Sequence, residues 1–329
     1  MYYLKFFFNS AVELIIRLLF RGLFFFFSRY GGRRGLLRIH RFYFWLMSKI
    51  SVQIKNDIYN CKCNIKEFLK ISNIDKVNDI AYSASCLHSL ETEKILFYKT
   101  ISKYRNHKKD IDKIKIVSDS ISIQDISKLS AERKVLFVHT HSSDRIASIE
   151  GLLYKLSSVA RSGTNHLFIH RGFSEKTLKT LQSLNAKYNK NIELIDLNTD
   201  SENYRRSFMQ KSKQANCIHL FFDLPLADTF DNFKYMNVPL FDRKAIFIRS
   251  PIDISMMYDA VIVPVSLINK TIEIKEPIYP ERYKTDDKYR LSDMGSDLVK
   301  KIEFLALNHP KCWSVLNRLH LFFVKSKFK

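Results

Sequence analysis

From Lys134 onward the chain alternates short apolar runs with amphipathic segments, and this alternation is its most constraining feature. Five runs rich in β-branched and aromatic residues predict buried strands: Lys134–Val138, Asn165–His170, Ile192–Asp196, Cys217–Phe222 and Ala260–Val265. The segments between them predict helices at Arg145–Ala160, Ser174–Tyr188, Ser201–Lys213 and Ala245–Tyr258. Strands that alternate with helices form βαβ units, so we expect an α/β fold with a mostly parallel central sheet flanked by helices.

Residues outside this alternation complete the predicted organisation. We expect residues 1–50 to form a separate aromatic and basic helical region, residues 51–130 a mostly helical part, and residues 131–329 the α/β part. Thr271–Ile278 predicts one more strand and Leu291–Asn308 one more helix. Pro264 interrupts an apolar run and has no backbone N–H, which predicts an edge strand or a bulge there.

A polar cluster follows the first predicted strand, and a helix is predicted to begin directly after it at Arg145. Open α/β sheets place their ligand crevices at such carboxyl ends of strands. His139 and Asp144 have the spacing H-x4-D, in which a histidine can accept a hydroxyl proton while a carboxylate fixes its tautomer. We therefore predict His139 as a general base and Asp144 as its orienting group. The alternative is that Ser142, Ser143 and Asp144 only cap the helix.

Charged residues also follow other predicted strands. Arg171 comes after the second strand, and its guanidinium could bind a phosphate or carboxylate through two parallel hydrogen bonds. Asp223 follows the strand that ends at Phe222, where it is either a site residue or a turn former. His139 and His141 have no third ligand in a recognisable spacing, so we predict no metal site. The sequence also has no Walker loop, no G-x-G-x-x-G and no G-x-S-x-G motif.

The first 50 residues are strongly apolar and aromatic, but charged residues interrupt them. Glu13, Arg17 and Arg21 are four residues apart and would share one helical face. A cluster of arginines and glycines follows at residues 29–35. This pattern predicts a membrane anchor that lies in the interface, with the arginines on anionic headgroups. An ordinary packed helix, a true membrane span and a secretory signal are the alternatives.

The net charge indicates the kind of partner that the protein binds, and the cysteines indicate the redox compartment that it faces. The formal net charge is +21, from 54 basic and 33 acidic residues, which indicates an anionic partner such as a membrane surface, an acidic carrier protein or a nucleic acid. No nucleic-acid-binding module is recognisable, so we do not expect nucleic acid as the partner. The five cysteines have no framework spacing, which predicts reduced thiols in a protein that faces the cytosol.

Together these features resemble the lipid A biosynthesis acyltransferases of bacteria, the lauroyl and myristoyl transferases within the lysophospholipid acyltransferase superfamily. The resemblance rests on the apolar and basic start, His139-x4-Asp144, His170-Arg171 and the acidic block at Phe222–Pro225. The ending Asn308–Trp313 with Arg318 is similar to the family's P-x-x-W followed by arginine. The chain departs from the family in Asp144, where glutamate is usual, and in lacking the glycine after the acidic block.

The resemblance implies an O-acyltransferase that moves a fatty acyl chain from an acyl thioester to a lipid hydroxyl. His139 would be the general base, Asp144 would orient it, and Arg171 and Asp223 would bind substrate. No cofactor is implied, since acyl carrier protein or coenzyme A brings the acyl chain as a co-substrate. Membrane lipids and acyl carrier protein are the expected partners, at the cytoplasmic face of the bacterial inner membrane.

The departures leave several acceptors open: a lipid A-like molecule of lipopolysaccharide biosynthesis, another lipid or glycolipid, or a specialised metabolite. Two readings from other classes also stay open. One is a non-catalytic basic protein that binds membranes or nucleic acid. The other is an inactive relative of the enzyme, or a different histidine-dependent hydrolase or transferase.

Overall fold

The computed structural model describes residues 2–30, 32–101, 112–142, 145–159, 164–170, 191–196, 201–223, 234–285 and 288–323. Its α-helices are α1 (Tyr2–Tyr30), α2 (Gly32–Ile50), α3 (Val52–Phe68), α4 (Ile74–Ile101), α5 (Ile123–Glu132), α6 (Arg145–Val159), α7 (Ser201–Gln214), α8 (Ser250–Tyr258) and α9 (Leu291–Asn308). Its strands are β1 (Lys115–Ser118), β2 (Val135–His139), β3 (Asn165–His170), β4 (Asn191–Asp196), β5 (Cys217–Phe221), β6 (Tyr235–Leu240), β7 (Arg243–Ile248), β8 (Val261–Ile268), β9 (Thr271–Ile274), β10 (Lys284–Thr285) and β11 (Lys288–Tyr289). Short 3₁₀ helices lie at Pro280–Tyr283, Pro310–Cys312 and Leu316–Phe322.

Seven strands form the central sheet in the order β1-β9-β8-β2-β5-β3-β4. Every neighbouring pair is parallel except β8 and β9, which are antiparallel. The sequence-based expectation of a mostly parallel α/β sheet is therefore confirmed. The predicted helix at Ser174–Tyr188 lies outside the described residues.

Strand β2 occupies the middle of the sheet, and all five of its residues are buried. Its side chains alternate between two hydrophobic cores on opposite faces. Leu136 and Val138 belong to the larger core, whereas Val135 and Phe137 belong to the second core. A strand buried on both faces explains why this segment reads as a continuous apolar run rather than an alternating one. The polar residues that follow β2 are thus held at a fixed place on the sheet edge.

Two sequence-based expectations about the later strands are wrong. The helix predicted at Ala245–Tyr258 begins only at Ser250, because Arg243–Ile248 is strand β7 and pairs with β6 as an antiparallel hairpin. Pro264 is neither on an edge strand, since β8 lies between β2 and β9, nor at a bulge, since it stands in unbroken register opposite Val138 of β2. The carbonyl of Pro264 faces Lys275, just beyond the last residue of β9, so the missing N–H falls where regular β8–β9 pairing ends.

Helices α1 and α2 pack through an aromatic core. Its buried members are Phe20, Phe24, Tyr43, Phe44, Met47 and Ile54. Glu13 forms an ion pair with Arg17 over 2.7 Å and also accepts a hydrogen bond from Ser51, so two of the predicted charged residues pair on one face. Within the described part of the chain, no helix combines the length and apolar composition needed to cross a bilayer.

The outer side of this helix pair is apolar and exposed. We call it the apolar face, and its members are Leu14, Ile15, Leu18, Leu19, Leu23 and Phe26 of α1 with Phe42 and Trp45 of α2. The α1 members recur every three or four residues, so they form one stripe along the helix. Scattered exposed apolar residues are normal on a soluble protein, whereas an apolar stripe along a helix is typical of interaction surfaces.

Candidate active site

The candidate active site lies where β2 and β5 end at the carboxyl edge of the sheet. The two strands pair in parallel, with His139 opposite Phe221. The backbone N–H of Phe222 donates to the carbonyl of His139 over 3.3 Å, which extends the pairing by one residue. His141 and Asp223 each lie two residues beyond the end of their strand, so the register brings them together.

His141 and Asp223 form a buried histidine–carboxylate pair. His141 Nδ1 lies 2.7 Å from Asp223 Oδ1, and the two side chains are 3% and 0% exposed. The backbone N–H of His141 also donates to both carboxylate oxygens, over 2.9 and 2.8 Å. A carboxylate only accepts hydrogen bonds, so Nδ1 carries a proton, and in the neutral form of imidazole the lone pair is then on Nε2. Among the described residues, no group forms a hydrogen bond with this Nε2 atom.

The C-terminal segment fixes both members of the pair. Trp313 donates its indole N–H to Asp223 Oδ2 over 2.7 Å. Ser314 donates its backbone N–H and its hydroxyl to the carbonyl of His141, over 2.9 and 2.8 Å. Ser142 and Trp313 also form an antiparallel bridge. The backbone and the ring of His141 are therefore held from three directions, which is the preorganisation that a catalytic base requires.

Hydroxyl groups fix the loop from the opposite side. The Thr140 hydroxyl lies 2.9 Å from the Ser142 hydroxyl and 2.8 Å from that of Ser266 on β8. The Ser142 hydroxyl also accepts a hydrogen bond from the backbone N–H of Leu267 over 2.8 Å. These buried hydroxyls satisfy one another, and they tie the residues on either side of His141 to strand β8.

A second histidine cluster crosses the sheet beside this pair. His139 Nε2 lies 3.1 Å from His219 Nδ1, and His219 Nε2 lies 3.0 Å from His166 Nδ1. The three residues belong to the neighbouring strands β2, β5 and β3, and all are buried. We call them the imidazole chain. Rings of Phe137 and Phe168 stack on the two sides of His219, with centroids 4.8 and 4.2 Å away.

Burial keeps His139 and His219 of the imidazole chain neutral. Loss of hydration, and secondarily the positive charge of a protonated His141, lower the pKa of His139 from the usual 6.5 to about 3. Burial also lowers the pKa of His219 well below its usual value, with smaller contributions from His166 and His139. A ring with so low a pKa is a weak proton acceptor at neutral pH.

The structure describes two of the four predicted site residues. His139 is the last residue of β2, but its Nε2 atom faces His219 rather than a carboxylate. Its Nδ1 atom is buried and has no hydrogen-bond partner among the described residues. Asp223 is more than a turn former, because its buried carboxylate binds His141 and Trp313, whereas the substrate contact predicted for it stays a prediction. Asp144 and Arg171 lie outside the described residues, so their roles stay predictions.

Sequence reasoning missed His141 and Ser314 as members of the site. The H-x4-D spacing drew attention to His139, and His141 was considered only as a metal ligand. The available signal was positional: His141 and Asp223 both follow the ends of apolar runs, and in the structure each lies two residues beyond the end of its strand. In a parallel sheet such positions lie side by side when the two strands are neighbours.

The donors of the site do not form a metal centre. In the part of the chain that the structure describes, no group of three or more histidine, cysteine, aspartate or glutamate side chains is arranged to hold a metal ion. In the imidazole chain, His219 uses one ring nitrogen for each neighbour, so the three rings do not converge on one point. All five cysteines are free thiols, as the sequence predicted.

Comparisons with known proteins assign no family to the chain. No protein-family model matches it, and no curated protein sequence matches it.

Proposed function

We propose that the protein is a histidine-dependent O-acyltransferase that works at a membrane surface. The observation that carries this proposal is the buried contact of 2.7 Å between His141 Nδ1 and Asp223 Oδ1 at the carboxyl edge of the sheet. A histidine held by a carboxylate through one nitrogen can accept a proton through the other, as in hydrolytic triads. In the proposed reaction the acceptor hydroxyl takes the place of the serine.

The chemistry needs only this pair and two substrates. The acceptor hydroxyl gives its proton to His141 Nε2 as its oxygen attacks the carbonyl carbon of an acyl thioester. The tetrahedral intermediate then collapses, the C–S bond breaks, and the leaving thiolate takes the proton from Nε2. Asp223 stabilises the imidazolium that exists between these two steps. No covalent acyl-enzyme is required.

His141 suits the role of general base better than His139. A base of this type needs one nitrogen bound to an orienting carboxylate and the other nitrogen free for the substrate. The Nε2 atom of His139 is already bound to His219, which leaves only Nδ1. That single nitrogen cannot both contact a carboxylate such as Asp144 and accept the substrate proton. His141 satisfies both requirements through Asp223 and its available Nε2.

The apolar face and the basic charge support a lipid acceptor and an acidic carrier. Leu19 of the apolar face is 63% exposed, and Phe42 and Trp45 provide aromatic side chains suited to a bilayer interface. The exposed arginines Arg38 and Arg41 lie on the same helix as Phe42 and Trp45. We propose that this surface lies on the cytoplasmic face of a bacterial inner membrane. A net charge of +21 favours anionic lipids and an acidic acyl carrier protein.

The function is tested by following the acyl thioester. The purified full-length protein is incubated with acyl-acyl carrier protein or acyl-coenzyme A and a total bacterial lipid extract, and thiol release and lipid masses are recorded. We expect thiol release to depend on the lipid extract, together with a lipid whose mass has risen by one acyl group. Lipid masses from cells with and without the gene then identify the acceptor.

Two variants assign the base. His141→Gln is expected to lower the rate about 10²–10⁴-fold, the usual contribution of a general base. His309→Gln, at a partly exposed histidine between α9 and the 3₁₀ helix Pro310–Cys312, is the matched control and should keep the rate. Absence of thioester cleavage with both donors and the complete lipid extract would reject the acyltransferase proposal. Salt-sensitive nucleic-acid retention without liposome binding would favour a nucleic-acid-binding protein instead.

A further inference from the structure

The hydrogen bonds of the imidazole chain restrict where each of its three rings can carry its proton. Neutral imidazole carries one N–H donor and one acceptor nitrogen. His219 uses both nitrogens, with Nδ1 3.1 Å from His139 and Nε2 3.0 Å from His166. A neutral His219 must therefore donate to one neighbour and accept from the other. Donation to both would require an imidazolium, and acceptance from both would require an imidazolate.

This condition leaves two arrangements of the three protons. In the first, all three rings carry their proton on Nε2, so that His139 donates to His219 and His219 donates to His166. In the second, all three rings carry it on Nδ1 and both hydrogen bonds reverse. Any mixed arrangement places two donors or two acceptors against each other at about 3 Å, and it leaves buried polar groups unsatisfied, at a cost of about 1–3 kcal/mol for each group.

We propose that His139, His219 and His166 form one tautomeric unit, in which the position of a single proton on β3 determines the position of the proton on His139 at the edge of the candidate site. His219 and His166 then fix the tautomer of His139 through their hydrogen bonds. The unit goes beyond the proposed acyl transfer, since it follows from the hydrogen-bond geometry of the rings and needs no substrate.

The residues around the imidazole chain hold its rings in place and favour their neutral forms. The register places His139 opposite Phe221 and His166 opposite Cys217, so the chain runs diagonally across three strands. Stacked phenylalanine rings cover both faces of the central His219. Asp223 and His141 are the charged or titratable groups that act on His139 besides the chain itself, and both lie at the carboxyl edge.

The unit also has a consequence for the site two residues away. If the protons are on Nε2, His139 offers a bare Nδ1 acceptor; if they are on Nδ1, it offers a donor instead. In both states the ring is uncharged, so the His141–Asp223 pair has a neutral neighbour at physiological pH. A protonated His139 would disfavour the imidazolium of His141 through like-charge repulsion. The neutral imidazole chain avoids this repulsion.

The test reads the tautomers directly. Uniformly ¹⁵N-labelled full-length protein is examined at pH 7 by long-range ¹H–¹⁵N correlation of the histidine rings, with assignment by His139→Phe, His166→Phe and His219→Phe. We expect the three rings to be neutral and in one common tautomer, with ¹⁵N–¹⁵N couplings across both hydrogen bonds. Different tautomers within the three, or a charged ring among them, would overturn the proposal.

A variant at the centre tests the linkage. His219→Phe keeps an aromatic ring between Phe137 and Phe168, removes both hydrogen bonds, and should change the tautomer populations of His139 and His166. His309→Gln is the control and should leave all three rings of the unit unchanged. Unchanged populations of both neighbours in His219→Phe would contradict the linkage. If that variant does not fold, the tautomers measured in the wild-type protein decide whether the three rings form one unit.

Discussion

Replacing Asp223 by asparagine is the sharpest test of the site, because it changes one oxygen to an NH₂ group and keeps the shape of the side chain. In the wild-type protein the two carboxylate oxygens accept from the backbone N–H and ring Nδ1–H of His141 and from the indole N–H of Trp313. Asparagine keeps one acceptor. Its NH₂ group must then face either Trp313 or the ring of His141.

Both orientations are costly. Facing Trp313, the NH₂ group opposes another donor in a buried place. Facing His141, it requires a bare Nδ1, which moves the ring proton to Nε2 and removes the base. Hydrogen bonds to a charged group contribute about 1.5–3 kcal/mol each. Since a buried donor left unsatisfied costs about 1–3 kcal/mol, we expect the free energy of unfolding to fall by about that amount. The wrong tautomer should lower kcat by about 10³–10⁴-fold.

Urea unfolding and thiol release from the acyl thioester measure these two effects. Asp253→Asn is the matched control, because Asp253 in the first turn of α8 forms a partly exposed ion pair with Arg249, the residue that precedes the helix. Its free energy of unfolding should change by no more than about 0.5 kcal/mol. If Asp223→Asn keeps its stability within about 1 kcal/mol and its kcat within tenfold, the pairing of Asp223 with His141 does not have the role argued from its geometry.

Three further predictions follow from individual contacts. The folded-state pKa of His139 is about 3, below its usual 6.5, so the unfolded state binds the proton first and stability is lost as the pH falls below about 6.5. Urea unfolding should show a loss of about 2 kcal/mol from this residue between pH 7 and pH 5, and an unchanged stability over that range would contradict its neutral burial. Trp313→Phe keeps one aromatic ring, removes the hydrogen bond to Asp223 and leaves a void beside it, so the free energy of unfolding should fall by at least about 1–3 kcal/mol, with kcat lowered more than KM is changed. Leu19→Glu should weaken liposome flotation at least tenfold, since burial of a leucine contributes about 1.5–3 kcal/mol, whereas Leu307→Glu, at a leucine that is 51% exposed on α9, should leave flotation unchanged.

The sheet was predictable because each of its main strands has a recognisable apolar pattern within its own few residues. Runs such as Lys134–Val138 and Cys217–Phe222 are short, apolar and rich in β-branched residues. This composition is enough to predict a strand that is buried on both faces. The β6–β7 hairpin was not predictable in the same way. Its tip, Phe241-Asp242, has positive φ angles of 51° and 58° at residues without the usual asparagine–glycine signature. Pro251 in the first turn of α8 was the available sign that the helix starts late.

The site was only half predictable from the sequence. The carboxyl end of the central strand identified the right place, and Asp223 was identified as a candidate. Which histidine meets which partner depends on the pairing of strands that are 82 residues apart for His141 and Asp223, and 80 apart for His139 and His219. The spacing of residues along the sequence does not show which strands pair with each other. A strand side chain points into one core face, and a residue two positions beyond it is free to turn toward the sheet edge.

The central claim is that His141, rather than His139, is the proton acceptor in acyl transfer. The most direct measurement is the single-turnover rate of acyl transfer by His141→Gln and His139→Gln, with the folded fraction of each variant determined by urea unfolding. The account predicts a rate lowered by about 10²–10⁴-fold in His141→Gln, and a folded His139→Gln that keeps most of the wild-type rate. Full activity in His141→Gln together with an inactive but folded His139→Gln would contradict it.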